Sequence, residues 1–222
     1  MINKNAQYTS INRRTKTMQP KLTLLFDPLC GWCYGAHSAL AGIDAAFKPE
    51  WTLLPTGLFT KPQPMSAEAA AYYWQNDQRI AELTGQIFST RYRDQILGDH
   101  TAAFDSTTAT QAWIRLSAAQ PKQSLAALAR IQALRYRDGM PHDASTLAQI
   151  AAEFGLDAET FEKEMHTGWP DGAVAQMTQA QNLMQQYQLR GVPTLLFEDQ
   201  VIPSQFLYQT QDLVAYIHSL TN

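Results

Sequence analysis

The two cysteines of this chain stand at the junction between a predicted strand and a predicted helix, and that placement limits the fold more than any other feature. Residues 21–27 (KLTLLFD) form a short apolar run that ends at the turn-forming Asp27-Pro28, which predicts a buried strand. The cysteines follow in residues 30–33 (CGWC), and residues 31–47, rich in Ala, Leu and aromatic side chains, predict a helix that begins at them. A CxxC pair at such a junction is a far more specific signal than its spacing alone.

The rest of the chain predicts a small sheet interrupted by a long helical segment. Residues 51–58 (WTLLPTGL) predict a second strand, and Pro55 either weakens this prediction or places the strand at a sheet edge. Apolar residues then recur at helical spacing in about seven stretches, until residues 192–197 (VPTLLF) and 201–202 return to strand patterning. Residues 213–220 complete a final amphipathic helix. Without the helical segment, the predicted order is βαβ–ββα.

This order predicts an α/β fold with a large helical insertion. Residues 21–59 and 189–222 would form the α/β domain, and residues 60–188 would form a helical domain inserted as one continuous segment. Residues 1–20 contain basic residues and no acid, but their apolar residues are scattered, so they do not resemble a signal sequence. We interpret residues 1–20 as a disordered tail, with Met18 as an alternative start, and expect a cytoplasmic protein.

The composition argues against several classes of protein. The 222 residues carry a net charge of −3 and 45% hydrophobic residues, which is ordinary for a globular chain and argues against a nucleic-acid partner. No apolar run approaches the ~18 residues that a membrane-spanning helix needs, so we expect no membrane partner. Because the two cysteines are close neighbours in the sequence, they cannot join distant segments as a disulfide scaffold does.

Cys30 and Cys33 suit thiol–disulfide exchange because of where they stand. The first turn of a helix leaves backbone N–H groups unpaired and carries a partial positive charge, and both would stabilise a thiolate at Cys30. A thiolate attacks a disulfide, and a second thiol at Cys33 can resolve the mixed disulfide that forms. We therefore assign Cys30 as the nucleophile and Cys33 as the more buried, resolving thiol.

Two other interpretations of the pair stay open. Structural zinc usually takes four Cys or His ligands, and a site here would combine the two cysteines with His37, which lies one helical turn past Cys33. A lone histidine on an apolar helix is more often a packed or surface side chain, so we expect no metal. The pair could also serve as idle thiols in a non-catalytic metal- or peptide-binding protein.

Two motifs resemble a known family. Residues 27–35 (DPLCGWCYG) resemble the active-site segment of the DsbA family of thioredoxin-fold oxidoreductases, and are most similar to the cytoplasmic FrnE-like branch with its Asp-x-x-Cys-x-Trp-Cys-Tyr pattern. Residues 189–194 (LRGVPT) resemble the Gly-Val-Pro-Thr segment of the family, in which the proline is cis and faces the cysteines. The resemblance extends from about residue 21 to the end of the chain and includes the helical insertion.

The resemblance implies a thioredoxin fold with a large α-helical insertion domain and the activity of a thiol–disulfide oxidoreductase. It implies that Cys30 and Cys33 are catalytic and that Trp32, Val192 and Pro193 contact the substrate, with an extended segment pairing along the Val192 backbone. Because electrons pass through two sulfurs, no bound cofactor is expected. The expected partner is a protein or small-molecule disulfide or thiol, and glutathione is a candidate reductant.

The sequence also departs from the family pattern, which leaves alternatives open. Leu24 stands where thioredoxin and periplasmic DsbA carry a buried acid, so Asp27 either replaces that acid or caps the loop. Gly31 and Trp32 bring no positive charge between the cysteines, which favours a less extreme oxidant than periplasmic DsbA. Trp32 either faces the substrate or packs on the fold. Kappa-class glutathione transferases and hydroxychromene carboxylate isomerases, which carry serine in place of Cys30, are similar in fold, so a glutathione-dependent transferase or isomerase is the alternative function.

Overall fold

The computed structural model describes residues 19–221. The tail predicted for residues 1–20, with its alternative start at Met18, falls almost wholly on residues 1–18 and lies outside the described residues. Within the part of the chain that is described, no helix is both long and apolar enough to cross a membrane.

A mixed sheet of four strands, counted over the described residues, has the order β2-β1-β5-β6. The central strand β1 (Lys21–Phe26) runs parallel to β2 (Glu50–Pro55) and antiparallel to β5 (Thr194–Phe197). β5 in turn pairs antiparallel with β6 (Gln200–Val201). β1 has a paired strand on each side, and its apolar side chains are buried in clusters that include helical residues on both faces of the sheet. β2 forms an edge and tolerates the missing N–H of Pro55.

The helices fall into a pair after β1, a long series between β2 and β5, and one helix after β6. They are α1 (Gly31–Gly35), α2 (His37–Phe47), α3 (Ala67–Thr84), α4 (Thr107–Ala119), α5 (Ser124–Tyr136), α6 (Ala144–Glu153), α7 (Ala158–Met165), α8 (Ala173–Gln186) and α9 (Thr210–Thr221). Ser66, Asp143 and Asp157 cap α3, α6 and α7, since each side chain accepts a hydrogen bond from a backbone N–H three residues on. The single helix predicted for residues 31–47 is interrupted at Ala36.

Several short elements connect the helices. A two-stranded antiparallel ribbon joins β3 (Gln63–Pro64) to β4 (Ala103–Phe104), and Tyr92–Leu97 forms a π-helical turn. Short 3₁₀ turns lie at Pro121–Gln123 and Ser204–Tyr208. These elements were not predicted, because two to six residues are too short for a periodic apolar pattern.

A continuous core joins one face of the sheet to the helical segment. Leu22, Leu24 and Phe26 of β1 share one core cluster with residues of α2 and α9, and Phe26 meets Trp113 of α4 edge to face with ring centroids 4.7 Å apart. On the opposite face, Leu25 belongs to a smaller cluster with Ala180 of α8. α8 therefore covers the sheet although it lies within residues 60–188, and the division of the chain into two domains stays a prediction.

Candidate active site

Cys30 stands between β1 and α1 and caps that helix with its sulfur. Its backbone is extended (φ −85°, ψ 112°), and Sγ accepts a hydrogen bond from the Cys33 backbone N–H at 3.3 Å. The thiol also donates to the carbonyl oxygen of Val192, with 3.4 Å between Sγ and O. The sulfur is therefore held from two sides, by its own helix and by a segment that precedes β5.

Cys33 lies in the first turn of α1 and is the more deeply buried of the two free thiols. Its side chain is 3% exposed, against 8% for Cys30. Burial raises the pKa of the Cys33 thiol well above its usual range, and the hydrogen bond and charge of Cys30 raise it further. Cys33 is therefore a protonated thiol, and it is in hydrogen-bond contact with the less buried Cys30 sulfur. Loss of two hydrogens can join the two sulfurs in a disulfide.

Asp27 organises the loop that leads into Cys30. Its Oδ1 accepts the Leu29 N–H at 2.9 Å, and its Oδ2 accepts the Phe59 N–H at 3.1 Å and the Ser106 hydroxyl at 3.0 Å. Burial raises the pKa of Asp27, and these hydrogen bonds lower it by less. Both carboxyl oxygens accept hydrogen bonds from loop groups, and the charge of Asp27 also contributes to the raised pKa of the Cys33 thiol.

The family position of the buried acid is a core position in this chain. Leu24 lies on β1 and pairs with Leu53 on one side and Leu195 on the other. Its side chain is 1% exposed. No titratable group therefore stands at this point of the strand.

α5 fixes the same loop through residues that sequence analysis did not identify. Gln132 donates to the carbonyl oxygens of Asp27 (3.3 Å) and Pro28 (3.1 Å), and the Tyr136 hydroxyl donates to that of Leu29 (2.7 Å). The three carbonyls that precede Cys30 are thus all hydrogen-bonded to one helix, which fixes the approach to the cysteine pair. In the sequence, both side chains look like ordinary members of an amphipathic helix.

His37 is paired within the core and not with the cysteines. Its Nε2 lies 2.6 Å from Gln132 Oε1, and burial lowers the pKa of the ring to about 4. Across residues 19–221, the structure brings together no group of three His, Cys, Asp or Glu side chains that could hold a metal ion. His37 is therefore a histidine packed in the core, which is one of the two alternatives that the sequence left open.

The segment before β5 closes the site from the far end of the chain. The Val192–Pro193 peptide bond is cis, Pro193 is buried, and Val192 is half-buried with its carbonyl at Cys30. The Thr194 hydroxyl donates to the carbonyl of Gly191 at 2.9 Å and holds the turn. The structure thus brings Val192 to the cysteine pair, as the resemblance implied.

Trp32 lies between two depressions beside the pair. The first, called here the proline groove, has a volume of about 570 Å³ and is lined by Trp32, Tyr208 and residues 189–194. The second, called the aromatic cavity, has a volume of about 160 Å³ and is lined by Cys30, Trp32, Asp77 and the rings of Phe59, Tyr73 and Tyr92, among others.

Trp32 packs on the fold at the edge of both depressions. Its half-buried ring packs against Tyr208, with ring centroids 5.1 Å apart, and it also borders both depressions, where a substrate can lie. Burial raises the pKa of Tyr208, and the charges of Cys33 and Cys30 raise it further. Tyr208 was missed in the sequence because it stands in a short 3₁₀ turn with no motif around it.

Three solved structures illustrate what this one is similar to. The cytosolic disulfide reductase DsbM from Pseudomonas aeruginosa, determined with GSH, is 33% identical over 90% of this chain and 98% of that chain, with a TM-score of 0.79. DsbA from Chlamydia trachomatis is 12% identical over 90% and 87% of the two chains, with a TM-score of 0.56. A 2-hydroxychromene-2-carboxylate isomerase is 16% identical over 90% and 97%, with a TM-score of 0.58. The last two likenesses show the fold alone.

The sequence itself matches a family over most of its length. No curated protein sequence matches the chain. The sequence model of the DSBA-like thioredoxin domain matches residues 21–215, which confirms the predicted thioredoxin fold with a helical insertion. The chain therefore belongs to the family of DSBA-like thioredoxin domains.

Proposed function

We propose that this protein exchanges disulfides through a redox pair formed by Cys30 and Cys33. The observation that carries the proposal is the placement of the Cys30 sulfur, 3.3 Å from the Cys33 N–H and 3.4 Å from the Val192 carbonyl oxygen. A substrate lying in the proline groove is held beside Val192, whose carbonyl contacts the less buried of the two sulfurs. Membership of the family supports the same class of reaction.

Each thiol acts once in the proposed cycle. The Cys30 thiolate attacks one sulfur of a substrate disulfide, the substrate S–S bond breaks, and the other substrate sulfur leaves and takes up a proton. Cys33 then loses its proton and attacks the Cys30 sulfur, so a Cys30–Cys33 disulfide forms and the second substrate thiol leaves. The substrate gains two electrons and two protons. The cysteine pair supplies both electrons and, counting the proton that Cys30 releases to solvent when it ionises, the equivalent of both protons. The burial and raised pKa of Cys33 suit this order, because Cys33 stays a thiol until the mixed disulfide has formed.

We infer that the reaction runs toward reduction, in the cytoplasm, with glutathione restoring the thiols. The similarity to DsbM, a cytosolic disulfide reductase determined with GSH, supports all three points. The proline groove suits a peptide-like thiol, since it offers the Val192 backbone for strand-like pairing and the rings of Trp32 and Tyr208 for apolar contact. The exposed Arg190 also lines this groove and can meet a carboxylate of the ligand.

The two single replacements test the roles of the thiols. Cys33→Ser keeps the nucleophile and removes the resolving thiol, so covalent adducts with substrate should accumulate on Cys30. Cys30→Ser should form none. Each variant is mixed with a cell extract, its thiols are trapped by alkylation, and the products are separated on a non-reducing gel. Equal adducts from both variants, or from neither, would show the assigned roles to be wrong. Full glutathione-dependent activity in Cys33→Ser would favour the transferase or isomerase instead.

A further inference from the structure

Asp77 is a buried carboxyl group beside the cysteine pair that the proposed cycle does not use. It lies on α3, is 5% exposed, and lines the aromatic cavity together with Cys30. Its Oδ1 faces Gly31, the residue after Cys30, so closely that a Cβ at Gly31 would lie 2.5 Å from it. α3 therefore delivers an acid to the peptide segment between the two cysteines.

The surroundings of Asp77 favour proton exchange near neutral pH. Its Oδ2 accepts the Tyr92 hydroxyl at 2.9 Å, and the Arg135 guanidinium lies over the Tyr92 ring, 5.5 Å from the centroid. Burial raises the pKa of Asp77 to about 7, although the Tyr92 hydrogen bond and the Arg135 charge lower it. The titratable and charged groups around it are Tyr73 of α3, Tyr92 of the π-helical turn, Arg135 and Tyr136 of α5, and Cys30 ahead of α1.

Two depressions adjoin Cys30 or its contact residue Val192, and together they offer room for the two halves of a disulfide. In the exchange reaction the attacking, central and leaving sulfurs lie nearly in line, so the retained and leaving halves extend in different directions. The Cys30 sulfur contacts Val192 of the proline groove, and Cys30 also borders the aromatic cavity. The cavity, about 160 Å³, resembles in size one that holds a benzene molecule. It can therefore take a sulfur with a few atoms beyond it.

We propose that the aromatic cavity receives the thiol that leaves during attack by Cys30, and that Asp77 donates the proton which this sulfur takes up. The inference rests on the proposed function and adds a catalytic residue to it. As the bond from Cys30 to the retained sulfur forms, the substrate S–S bond breaks and the proton moves from the Asp77 carboxyl to the leaving sulfur. Asp77 is left as a carboxylate, opposite the charge of Arg135. It regains a proton from solvent on the side of Tyr72, which is 63% exposed.

Proton donation by Asp77 matters only for leaving thiols whose pKa is ordinary or high. A thiol of ordinary or high pKa is a poor leaving group as a bare thiolate, whereas an aromatic thiol of low pKa leaves readily without a proton. Proton donation by a positioned side chain contributes typically about 10²–10⁴-fold to a rate. Asp77 should therefore matter for small aliphatic disulfides and not for activated aromatic ones.

The test compares mixed-disulfide formation in Cys33→Ser protein with that in the Cys33→Ser, Asp77→Asn protein, just below neutral pH. The probes are 2-hydroxyethyl disulfide, with an aliphatic leaving thiol, and 4,4′-dithiodipyridine, with an activated aromatic one, and adducts are followed by mass spectrometry. Asp77→Asn should slow the first reaction at least about tenfold and change the second by less than about twofold. Equal effects on both probes, or none on either, overturn the role of Asp77. Failure of Cys33→Ser itself to react with either probe overturns the proposed function and this inference with it.

Tyr92→Phe provides a second variant that keeps the carboxyl group. It removes the hydrogen bond that lowers the pKa of Asp77, so the carboxyl should stay protonated to higher pH. The fall in the rate with 2-hydroxyethyl disulfide at the alkaline end of its pH profile should move upward in pH, and the 4,4′-dithiodipyridine profile should not move. An unmoved alkaline limb overturns the inference, whether or not Asp77→Asn folds.

Discussion

Burial shifts the pKa values of the ionisable residues around the cysteine pair, and the direction of each shift depends on the sign of the charge that the residue would carry. It raises the pKa of Cys33 and of Asp27, whose ionised forms are negative, and lowers the pKa of His37 to about 4, because its ionised form is positive. In each of these three residues, burial stabilises the neutral form relative to the ionised one. The interior beneath the Cys30 sulfur is thus a place where charge is disfavoured.

His37 should make the stability of the protein depend on pH. The unfolded chain binds a proton at this ring below its ordinary pKa of 6.5, whereas the native ring stays neutral until the pH approaches about 4. Stability is therefore lost as the pH falls through 6.5. In His37→Gln this loss is absent, so between about pH 8 and pH 5 its free energy of unfolding should fall by about 2 kcal/mol less than that of the wild type. Urea unfolding at the two pH values measures the difference.

An exposed histidine is the matched control for this experiment. His166 lies on the surface at the end of α7, so His166→Gln should keep the pH dependence of the wild type. Identical pH dependence in His37→Gln and in the wild type would mean that His37 is not a buried, neutral ring.

Single residues of the site could be predicted only where the sequence carries a motif. Cys30 and Val192 stand in recognisable segments, and the structure brings their side chain and carbonyl together. The hydrogen-bond partners of Asp27 could not be predicted, because Phe59 and Ser106 are far away in the sequence. Asp77 carried no signal at all, since an acid in an amphipathic helix is ordinarily a surface residue.

Two glycines set how closely α3 approaches the cysteine-bearing helix. Gly31 and Gly35 are four residues apart, so they lie on one face of the helical segment, and both face α3. A Cβ at Gly35 would lie 2.5 Å from Ile80 Cγ2 and 3.4 Å from Thr84 Cγ2. The absence of side chains at these positions therefore allows α3 to carry Asp77 into the aromatic cavity.

Gly35→Ala should lower the free energy of unfolding by about 1–3 kcal/mol, because the new methyl group overpacks the contact with Ile80. The loss should appear even though alanine favours helix more than glycine does. The measurement is urea unfolding at neutral pH. Gly191→Ala is the control, since a Cβ there would meet nothing within 4 Å, and it should stay within about 0.5 kcal/mol of the wild type. If Gly35→Ala were as stable as the wild type, α3 would not pack on α1 as described.

The order of the long elements was predictable from apolar periodicity, but their ends were not. β2 stops at Pro55 and not at residue 58, since Gly57 turns the chain with a positive φ of 66°. The predicted helix at residues 31–47 divides at Ala36, one residue after the glycine that lies against Ile80. The turn at Gly57 is a feature that a periodic apolar pattern does not record, and the same pattern runs through Ala36 without a break.

The candidate site is assembled from segments that are distant in the sequence and meet only in the folded molecule. The cysteine pair follows the central strand, Val192 precedes its antiparallel neighbour, and the helical segment supplies Gln132 and Asp77. The βαβ–ββα order predicts that the first two segments meet. This order does not predict which helices of the insertion, or which of their faces, contact the two segments. That choice depends on packing between helices whose apolar patterns are all alike.

The central claim is that Cys30 and Cys33 form one reversible redox pair, and a titration of the whole protein in glutathione buffers of graded composition tests it most directly. At each composition the free thiols are alkylated and the mass of the protein is measured. We expect a single transition from a form with two alkylated cysteines to a form with none that is two hydrogens lighter, and full reversal with dithiothreitol. A protein that keeps both thiols in every oxidising buffer, or ends as a stable glutathione adduct at Cys30 with Cys33 still free, would contradict a Cys30–Cys33 pair.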